Sequence, residues 1–347
     1  MTRPSNALCT LSLYIAFLLT EPKYSNCCRL AEVMSISHDS INRFLGRENF
    51  DSKDLFNEAK EQLILKDGVV SVDDTVLDKP YSNHQNFVGH YWSGKHHKAV
   101  KGINIITLYY TDIFGNSLPI NYRIYDKSES KTKNDYFLEM LTEIIEWGVE
   151  PSFVTGDSWY SSNKNLKTIK NYHLSFLFAI KSNRKISVKR GELVQVQKVK
   201  IPKNGLIVWL NDYGYVKVFR MVFKEEYRHY IVSLSNHEPS DLLEHDLLSL
   251  FEMEQFLYVH NQHWKIEEYH RTIKQVCHIE DFQVRSKRKI NNHIYSSLCA
   301  YIKLKTMCTM DIIDNCYKFQ RNLFDETIRS TINWLIQDMN YPEPQYL

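Results

Sequence analysis

Acidic residues stand at the ends of two β-type runs of the sequence, where they could hold a cation. Asp73 and Asp74 close the run VVSVDDTV, and Asp157 follows the strand-like segment Phe153 to Thr155. An acidic side chain within an apolar β-rich run must either reach solvent or pair with a cation. The carboxyl edge of an α/β sheet is also where ligands usually bind. The alternatives are a solvated strand end for Asp73 and Asp74 and a helix N-cap for Asp157.

The two adjacent aspartates cannot both face the same site. Side chains alternate along a strand, which puts Asp74 on one face with Val70 and Val72 and puts Asp73 on the other face with Ser71. Only one of the two can therefore point into a site shared with Asp157. Alternation by itself does not identify which one.

A third acidic residue lies on a predicted helix with the sequence WKIEEYHRTIKQ. Residues four and seven positions apart share a helical face, which aligns Glu267, but not Glu268, with His263, Arg271 and Lys274. A carboxylate on a stripe of basic side chains suits a site where a metal ion and phosphate meet. The alternative is a surface helix with a Glu267–Arg271 ion pair.

Carboxylates from two strands and one helix are suited to phosphoryl transfer. They can supply oxygen ligands to two divalent cations about 3.5 to 4 Å apart, one activating a water or hydroxyl and one stabilising the leaving oxygen. Mg²⁺ prefers such ligands. The sequence contains no GxxxxGK[ST], GxSxG or HExxH motif, so nothing favours a nucleotide triphosphatase, a serine hydrolase or a zincin.

The elements that must position these residues form a β-β-β-α-β-α-β series, which predicts an α/β fold with a mixed sheet. A segment of short alternating strands without helices, from Lys181 to Asn236, then predicts a β-rich insertion, and helices resume from about Asp241. The predicted strands and helices of the series are Val69 to Val76, Ala99 to Thr111, Leu118 to Tyr125, Lys133 to Trp147, Ser152 to Thr155, Ser162 to Tyr172 and Ser175 to Ile180.

The N-terminal region predicts a small all-α unit with a helix-turn-helix pattern between Ser25 and Leu45. Leu30 and Val33 would face inward on its first helix, and Ser37 can cap the second. The alternative is any three-helix packing unit. The residues near the exposed side of the second helix that could contact DNA are His38, Ser40, Asn42 and Arg43.

Composition indicates a folded globular chain. The length of 347 residues predicts about two domains, and 43% hydrophobic and 24% charged residues are ordinary for a globular protein. A net charge of +2 neither demands nor forbids a polyanionic partner. Seven cysteines without a CxxC pair favour a reduced, intracellular protein, and no apolar run reaches the roughly 20 residues that span a bilayer.

These motifs resemble the DDE transposases of bacterial insertion sequences. The shared features are DDT at Asp73 to Thr75, GD at Gly156 and Asp157, and E-x6-K from Glu267 to Lys274 after a β-rich insertion. The resemblance covers about residues 69–305. It implies an RNase H-like catalytic core, interrupted by the insertion and preceded by a small helical DNA-binding domain. The implied function is cleavage at element ends and transfer of the 3′-hydroxyl into target DNA.

The resemblance also implies roles for particular residues. Asp74, Asp157 and Glu267 would be the catalytic triad that binds two Mg²⁺ ions, with Mn²⁺ as a substitute, because the family's first acid is the one before Thr. Lys274 and Arg271 would contact phosphate.

Two histidines depart from the family pattern. His260 and His263 stand where the family has Tyr and Arg, so they would be supporting phosphate contacts without the bidentate fork of Arg. This difference leaves open whether the hairpin-forming variant of the reaction is used.

Further basic residues could contact DNA. Lys95 lies in the aromatic and basic segment YWSGKHHK, and Arg285, Lys287 and Arg288 precede a predicted C-terminal helix. The alternatives are an exposed loop for the first segment and a solvated charge run for the second.

The predicted domains are 1–66 (DNA-binding), 67–180 (first part of the core), 181–240 (insertion), 241–310 (second part of the core) and 311–347 (C-terminal helices). The implied partners are the terminal inverted repeats, target DNA and a second copy of the chain, and no membrane is expected as a partner. The implied location is the bacterial cytoplasm, at the nucleoid. Two rival functions remain: a catalytically inactive protein that binds element ends, and a structure-specific nuclease on the same fold.

Overall fold

The computed structural model describes residues 8–23, 25–94, 96–189, 191–223, 226–235 and 244–339. It divides into two compact units. The helical unit contains the described residues of Met1–Asn49 and Arg271–Leu347, and the sheet unit contains those of Phe50–His270. These limits differ from the predicted domains, because the C-terminal helices group with the N-terminal ones.

The elements confirm most of the predicted strands and helices. In chain order they are α1 (Leu11–Thr20), α2 (Cys27–Met34), α3 (His38–Arg47), α4 (Ser52–Lys60), β1 (Val69–Asp78), β2 (Gly89–Ser93), β3 (Lys98–Thr111), β4 (Ser117–Ile124), α5 (Lys133–Glu146), β5 (Phe153–Gly156), α6 (Asn163–Asn171), β6 (Ser175–Ile180), β7 (Lys185–Ser187), β8 (Leu193–Gln195), β9 (Leu206–Leu210), β10 (Gly214–Phe223), β11 (Glu226–Ser233), α7 (Glu244–Leu250), α8 (Met253–Gln275), α9 (Lys287–Thr309) and α10 (Phe319–Met339).

The core of the sheet unit is a mixed sheet with the strand order β4-β3-β1-β5-β6. β1 is antiparallel to β3 and parallel to β5, and β6 is parallel to β5. The parallel arrangement puts the carboxyl ends of β1 and β5 side by side. This is the sheet expected of an RNase H-like core, and it confirms the predicted fold class.

The β-rich insertion continues this sheet rather than standing apart from it. β11 pairs antiparallel with β6, with His229 opposite Ile180, and β10, β9, β7 and β8 follow in that order. β8 is short, because a 3₁₀ turn begins at Val196, directly after it. β2, which includes the first residues of the segment YWSGKHHK, pairs antiparallel with β3, so these residues do not form an exposed loop.

Both faces of β1 are covered. Val69 packs with Phe256 and Val259 of α8 in one apolar cluster. Val70 and Val72, which alternation puts on the opposite face, are fully buried as well. A polar side chain near the end of β1 therefore meets a different environment on each face.

The helical unit contains the predicted helix-turn-helix pair, α2 and α3. Ser35 adopts a left-handed conformation with φ 52° between them, and the Ser37 hydroxyl accepts a hydrogen bond from the Asp39 amide. Leu30 is buried as predicted, but Val33 is 51% exposed. Among the helices that the structure describes, none is both long and apolar enough to cross a membrane.

Candidate active site

A cavity of about 560 Å³ in the sheet unit contains three acidic side chains. We call it the carboxylate pocket. Asp73 of β1, Asp157 after β5 and Glu267 of α8 line it together with His260 and His263. Two parallel strand ends and one helix thus supply the acidic groups of the pocket.

Strand register explains why Asp73 and Asp157 face the same way. Val72 lies opposite Gly156 in the parallel pair, so the next residues, Asp73 and Asp157, project on the same face. Two residues earlier on that face, the Ser71 and Thr155 hydroxyls are 2.9 Å apart. Thr155 Oγ1 in turn lies 3.3 Å from His263 Nδ1 of α8. This face of the sheet is therefore the one that α8 covers.

Asp74 lies on the other face, which differs from the prediction that it would join Asp157 and Glu267. Its Oδ2 accepts hydrogen bonds from Asn104 Nδ2 and Lys133 Nζ, each at 2.6 Å. Its Oδ1 accepts one from the Tyr160 hydroxyl at 2.9 Å. The regular pairing of β1 with β3 continues through Asp74, so nothing rotates its side chain toward α8.

The surroundings of Asp73 favour its charged form. Desolvation would raise the pKa of Asp73, but the hydrogen bond and charge of His270, together with smaller effects of His263 and the Asp74 amide, lower the pKa. His270 Nδ1 lies 3.5 Å from Asp73 Oδ2. A carboxylate whose charged form is favoured in this way is suited to cation binding.

The surroundings of Asp157 have the opposite effect. Desolvation and the nearby charge of Asp73 raise the pKa of Asp157 to about 7. The backbone amide of Trp159 donates to Asp157 Oδ1 at 2.8 Å and partly counters this effect. A divalent cation beside Asp73 would counter the negative charge that raises the pKa of Asp157.

The donor chemistry of the pocket fits such a cation, because it consists of carboxylate oxygens, the ligands of hard divalent ions. Within the described part of the chain, no group of three or more His, Cys, Asp or Glu side chains already converges at metal-binding distance. Glu267 is exposed on α8 and shares the pocket with Asp73 and Asp157. The arrangement therefore provides the ligands without a preformed cage.

The two predicted histidine contacts line the carboxylate pocket as neutral groups. Burial lowers the pKa of His263 to about 4 and also lowers the pKa of His260. His260 Nε2 lies 3.2 Å from the Tyr230 hydroxyl. Positive charge on these rings, which would strengthen the predicted phosphate contact, is absent at neutral pH in these surroundings.

The two predicted cations on the last turns of α8 belong to the helical unit. Arg271 is exposed. Lys274 Nζ lies 3.0 Å from Glu280 Oε1, so its charge is already paired within that unit. Their predicted role in holding phosphate stays a prediction.

Several predicted DNA contacts come together in the helical unit. His38, Asn42 and Arg285 line a cavity of about 460 Å³, and Lys289 Nζ donates to Asn42 Oδ1 at 2.6 Å. The recognition-type helix α3 thus lies beside the basic start of α9. Of the remaining candidates, Arg43, Lys287 and Arg288 are exposed, Ser40 is half-buried, and Lys95 lies outside the described residues.

Comparison with known proteins gives a family match. The family model of the transposase DDE domain matches residues 65–303. A solved synaptic complex of piggyBac transposase with hairpin DNA is similar over 96% of this chain and 72% of that one, with 15% identity and a TM-score of 0.52, which shows a shared fold. The Drosophila P element transposase strand transfer complex matches over 56% and 49% of the chains, with 9% identity and a TM-score of 0.28. No curated protein gives a significant match.

Proposed function

The chain belongs to the family of transposases with a DDE domain, and on this premise we propose that Asp73, Asp157 and Glu267 are its catalytic carboxylates. The protein is a DNA transposase, an enzyme of DNA cleavage and strand transfer. The observation that supports the residue assignment is the shared pocket of these three side chains, with Asp73 and Asp157 on neighbouring strand ends. Asp74, the acid before Thr, is instead assigned to the scaffold.

A DDE domain implies dependence on a divalent metal. The proposal extends to two Mg²⁺ ions, which Mn²⁺ could replace, held by Asp73, Asp157 and Glu267. Bound cations of this kind activate the attacking hydroxyl and stabilise the leaving oxygen. The chain's own groups orient the ligands: His270 holds Asp73, and the Trp159 amide holds Asp157.

DNA is the proposed partner, both as element ends and as target. The exposed side chains Arg43, Arg285, Lys287 and Arg288 support end binding by the helical unit, since such cations neutralise phosphates. A homodimer would carry two element ends, with the protein at the bacterial nucleoid. Arg271 and Lys274 remain proposed phosphate contacts.

The test is cleavage of labelled DNA that carries the candidate element ends, in Mg²⁺ or in EDTA, resolved on a denaturing gel. We expect Mg²⁺-dependent cuts at the end boundaries. Asp157→Asn and Glu267→Gln should abolish them and leave end binding intact. Glu268→Gln is the matched control, because Glu268 is the neighbouring exposed acid of α8 and is not among the residues that line the carboxylate pocket.

Two other results would replace the proposal. Binding of ends without any cleavage by the folded wild-type protein would indicate an inactive end-binding protein. Cleavage without joining to a tagged target DNA would indicate a structure-specific nuclease. Equal loss of cleavage in Glu268→Gln and Glu267→Gln would contradict the assignment of Glu267.

A further inference from the structure

A second cavity adjoins the carboxylate pocket through Ser158, which lines both. It has a volume of about 370 Å³, and we call it the Trp159 pocket. The Trp159 side chain is 55% exposed although it lies only two residues after Asp157. The other lining residues are Ser161, Ser162, Lys181, Asn183, Arg184 and Lys185.

The backbone on both sides of Trp159 is firmly held. The Trp159 amide donates to the Asp157 carboxylate at 2.8 Å. The next residue, Tyr160, is fully buried and donates its hydroxyl to Asp74 at 2.9 Å. Lys133 Nζ, paired with Asp74, lies 5.7 Å from the centre of the indole ring. The exposed ring is therefore a preorganised surface rather than the tip of a loose loop.

The rim of the Trp159 pocket is positively charged. Lys181 Nζ lies 5.9 Å from the indole centre, and Arg184 bonds to Asn163. Throughout the described part of the chain, no carboxylate forms an ion pair with Lys181, Arg184 or Lys185. Cations without acidic partners around an exposed aromatic face are the combination that binds single-stranded nucleic acid, by phosphate attraction and base stacking.

We propose that the Trp159 pocket binds an unpaired DNA nucleotide adjacent to the cleavage site. Its base would stack on Trp159, and its phosphate would lie at Lys181 and Lys185. This inference rests on the proposed function, because it places DNA in the adjoining carboxylate pocket. A base within duplex DNA has both faces covered by its neighbours, so only an unpaired base offers a face to the indole. The cavity volume falls in the range of pockets that hold small ligands, which suits a single nucleotide.

The test uses the full-length protein in EDTA, so that no cleavage intervenes. Two duplexes of the same sequence carry 2-aminopurine beside the end boundary. In one duplex the 2-aminopurine is paired, and in the other the complementary strand has a gap opposite it, which leaves it unpaired. We expect fluorescence quenching with the unpaired probe. Trp159→Ala should lose the quenching and bind this probe about 10- to 100-fold more weakly, while its affinity for the paired duplex stays unchanged.

Two variants serve as controls. Trp159→Phe keeps an aromatic face and should retain most of the affinity, which separates stacking from misfolding. Phe114→Ala removes another exposed ring, 75% exposed in the turn between β3 and β4, and should bind both probes as the wild type does. The double variant Lys181→Ala, Lys185→Ala should lose about two phosphate contacts. The slope of log K against log salt concentration for the unpaired probe should therefore fall by about 2.

Wild-type quenching that persists in Trp159→Ala, or equal weakening for paired and unpaired probes, would overturn the proposal. Failure of the proposed function is seen separately, in the Mg²⁺ cleavage assay. Cleavage without quenching of the probe would support the proposed function and contradict the proposal for the Trp159 pocket. Quenching without cleavage would support the pocket and contradict the proposed function.

Discussion

Asp73 and Asp74 are adjacent in the chain, yet they lie on opposite faces of β1 in opposite surroundings. Asp73 lines the carboxylate pocket, lies 3.5 Å from His270 Nδ1 and accepts one hydrogen bond from the Asp74 amide at 2.8 Å. Asp74 receives hydrogen bonds from Asn104, Lys133 and Tyr160. A metal ligand must keep lone pairs available for the ion, whereas a carboxylate that accepts three internal hydrogen bonds has largely used them. We interpret the difference as one between the proposed metal ligand, Asp73, and a structural acid, Asp74.

The two acids nevertheless depend on each other through the fold. Asp74 connects β3, the start of α5 and the segment after β5, because its three partners come from those places. That last segment contains Asp157 and Trp159. We therefore interpret Asp74 as the residue that positions one wall of the carboxylate pocket while Asp73 contacts the reacting groups.

The largest expected effect is on cleavage. Asp73→Asn removes a proposed metal ligand and should reduce Mg²⁺-dependent cleavage at least about 100-fold, as loss of a major electrostatic stabiliser does. Asp74→Asn should reduce it much less, since the amide can still accept one hydrogen bond from Tyr160. Single-turnover cleavage rates of the two variants measure the difference directly.

The opposite ranking would refute our assignment. If Asp74→Asn abolished cleavage and Asp73→Asn did not, the family position before Thr would be catalytic after all, and β1 would have to rotate when DNA binds. End binding by both variants serves as the control for folding.

For the free energy of unfolding, we expect substitution of Asp74 to have a larger effect than substitution of Asp73. Asp74→Ala leaves the Lys133 ammonium, 16% exposed, without its carboxylate, and should lower the free energy of unfolding by about 2 to 3 kcal/mol. Asp73→Ala should cost less, because it also removes repulsion with Asp157. Urea unfolding followed by circular dichroism measures both values.

A double variant sharpens this result. Lys133→Met in the Asp74→Ala background removes the unpaired cation and should recover part of the lost stability. Strictly additive losses would contradict the interpretation of Asp74 and Lys133 as a coupled pair.

The effect of Mg²⁺ on thermal stability should also distinguish Asp73 from Asp74, with a smaller effect than in the cleavage and unfolding experiments. A ligand that binds only the folded state raises its stability by RT ln(1 + [L]/Kd), about 2.7 kcal/mol at a concentration of 100 times Kd. Mg²⁺ should therefore raise the melting temperature of the wild type and of Asp74→Asn above that in EDTA, and should not do so for Asp73→Asn. A normal Mg²⁺ shift in Asp73→Asn would contradict its role as a ligand. Ca²⁺, which also prefers oxygen ligands, is a suitable second probe.

The sequence predicts carboxylates at two strand ends and on one helix, but it does not predict which face of β1 contributes to the proposed site. Strand alternation shows that Asp73 and Asp74 point apart, and this much is local. Which of the two shares a face with Asp157 depends on the register of β5 against β1, with Val72 opposite Gly156, and that pairing joins residues far apart in the chain. The only signal in the sequence is the two-residue spacing along each strand. It puts Ser71 on the face of Asp73 and Thr155 on the face of Asp157, and the two hydroxyls do meet.

The other differences also arise from distant pairings. The insertion reads as a separate β subdomain, because nothing local predicts that His229 of β11 will pair with Ile180 of β6. In the helical unit, the Tyr14 hydroxyl of α1 lies 2.8 Å from His293 Nδ1 of α9, 279 residues later. Periodicity finds each helix, but it does not show that the first and last parts of the chain form one unit.

The smallest expected effect comes from the neutral partner of Asp74. Asn104 donates to Asp74 through Nδ2, but its buried Oδ1 has no hydrogen-bond partner among the described residues. Asn104→Ala removes one of three donors to Asp74 and also removes an unsatisfied acceptor, so the net loss should be only about 1 kcal/mol. Urea unfolding beside Asp74→Ala measures it. A loss as large as that of Asp74→Ala would mean that the neutral hydrogen bond, rather than the Lys133 charge, holds Asp74 on its face of β1.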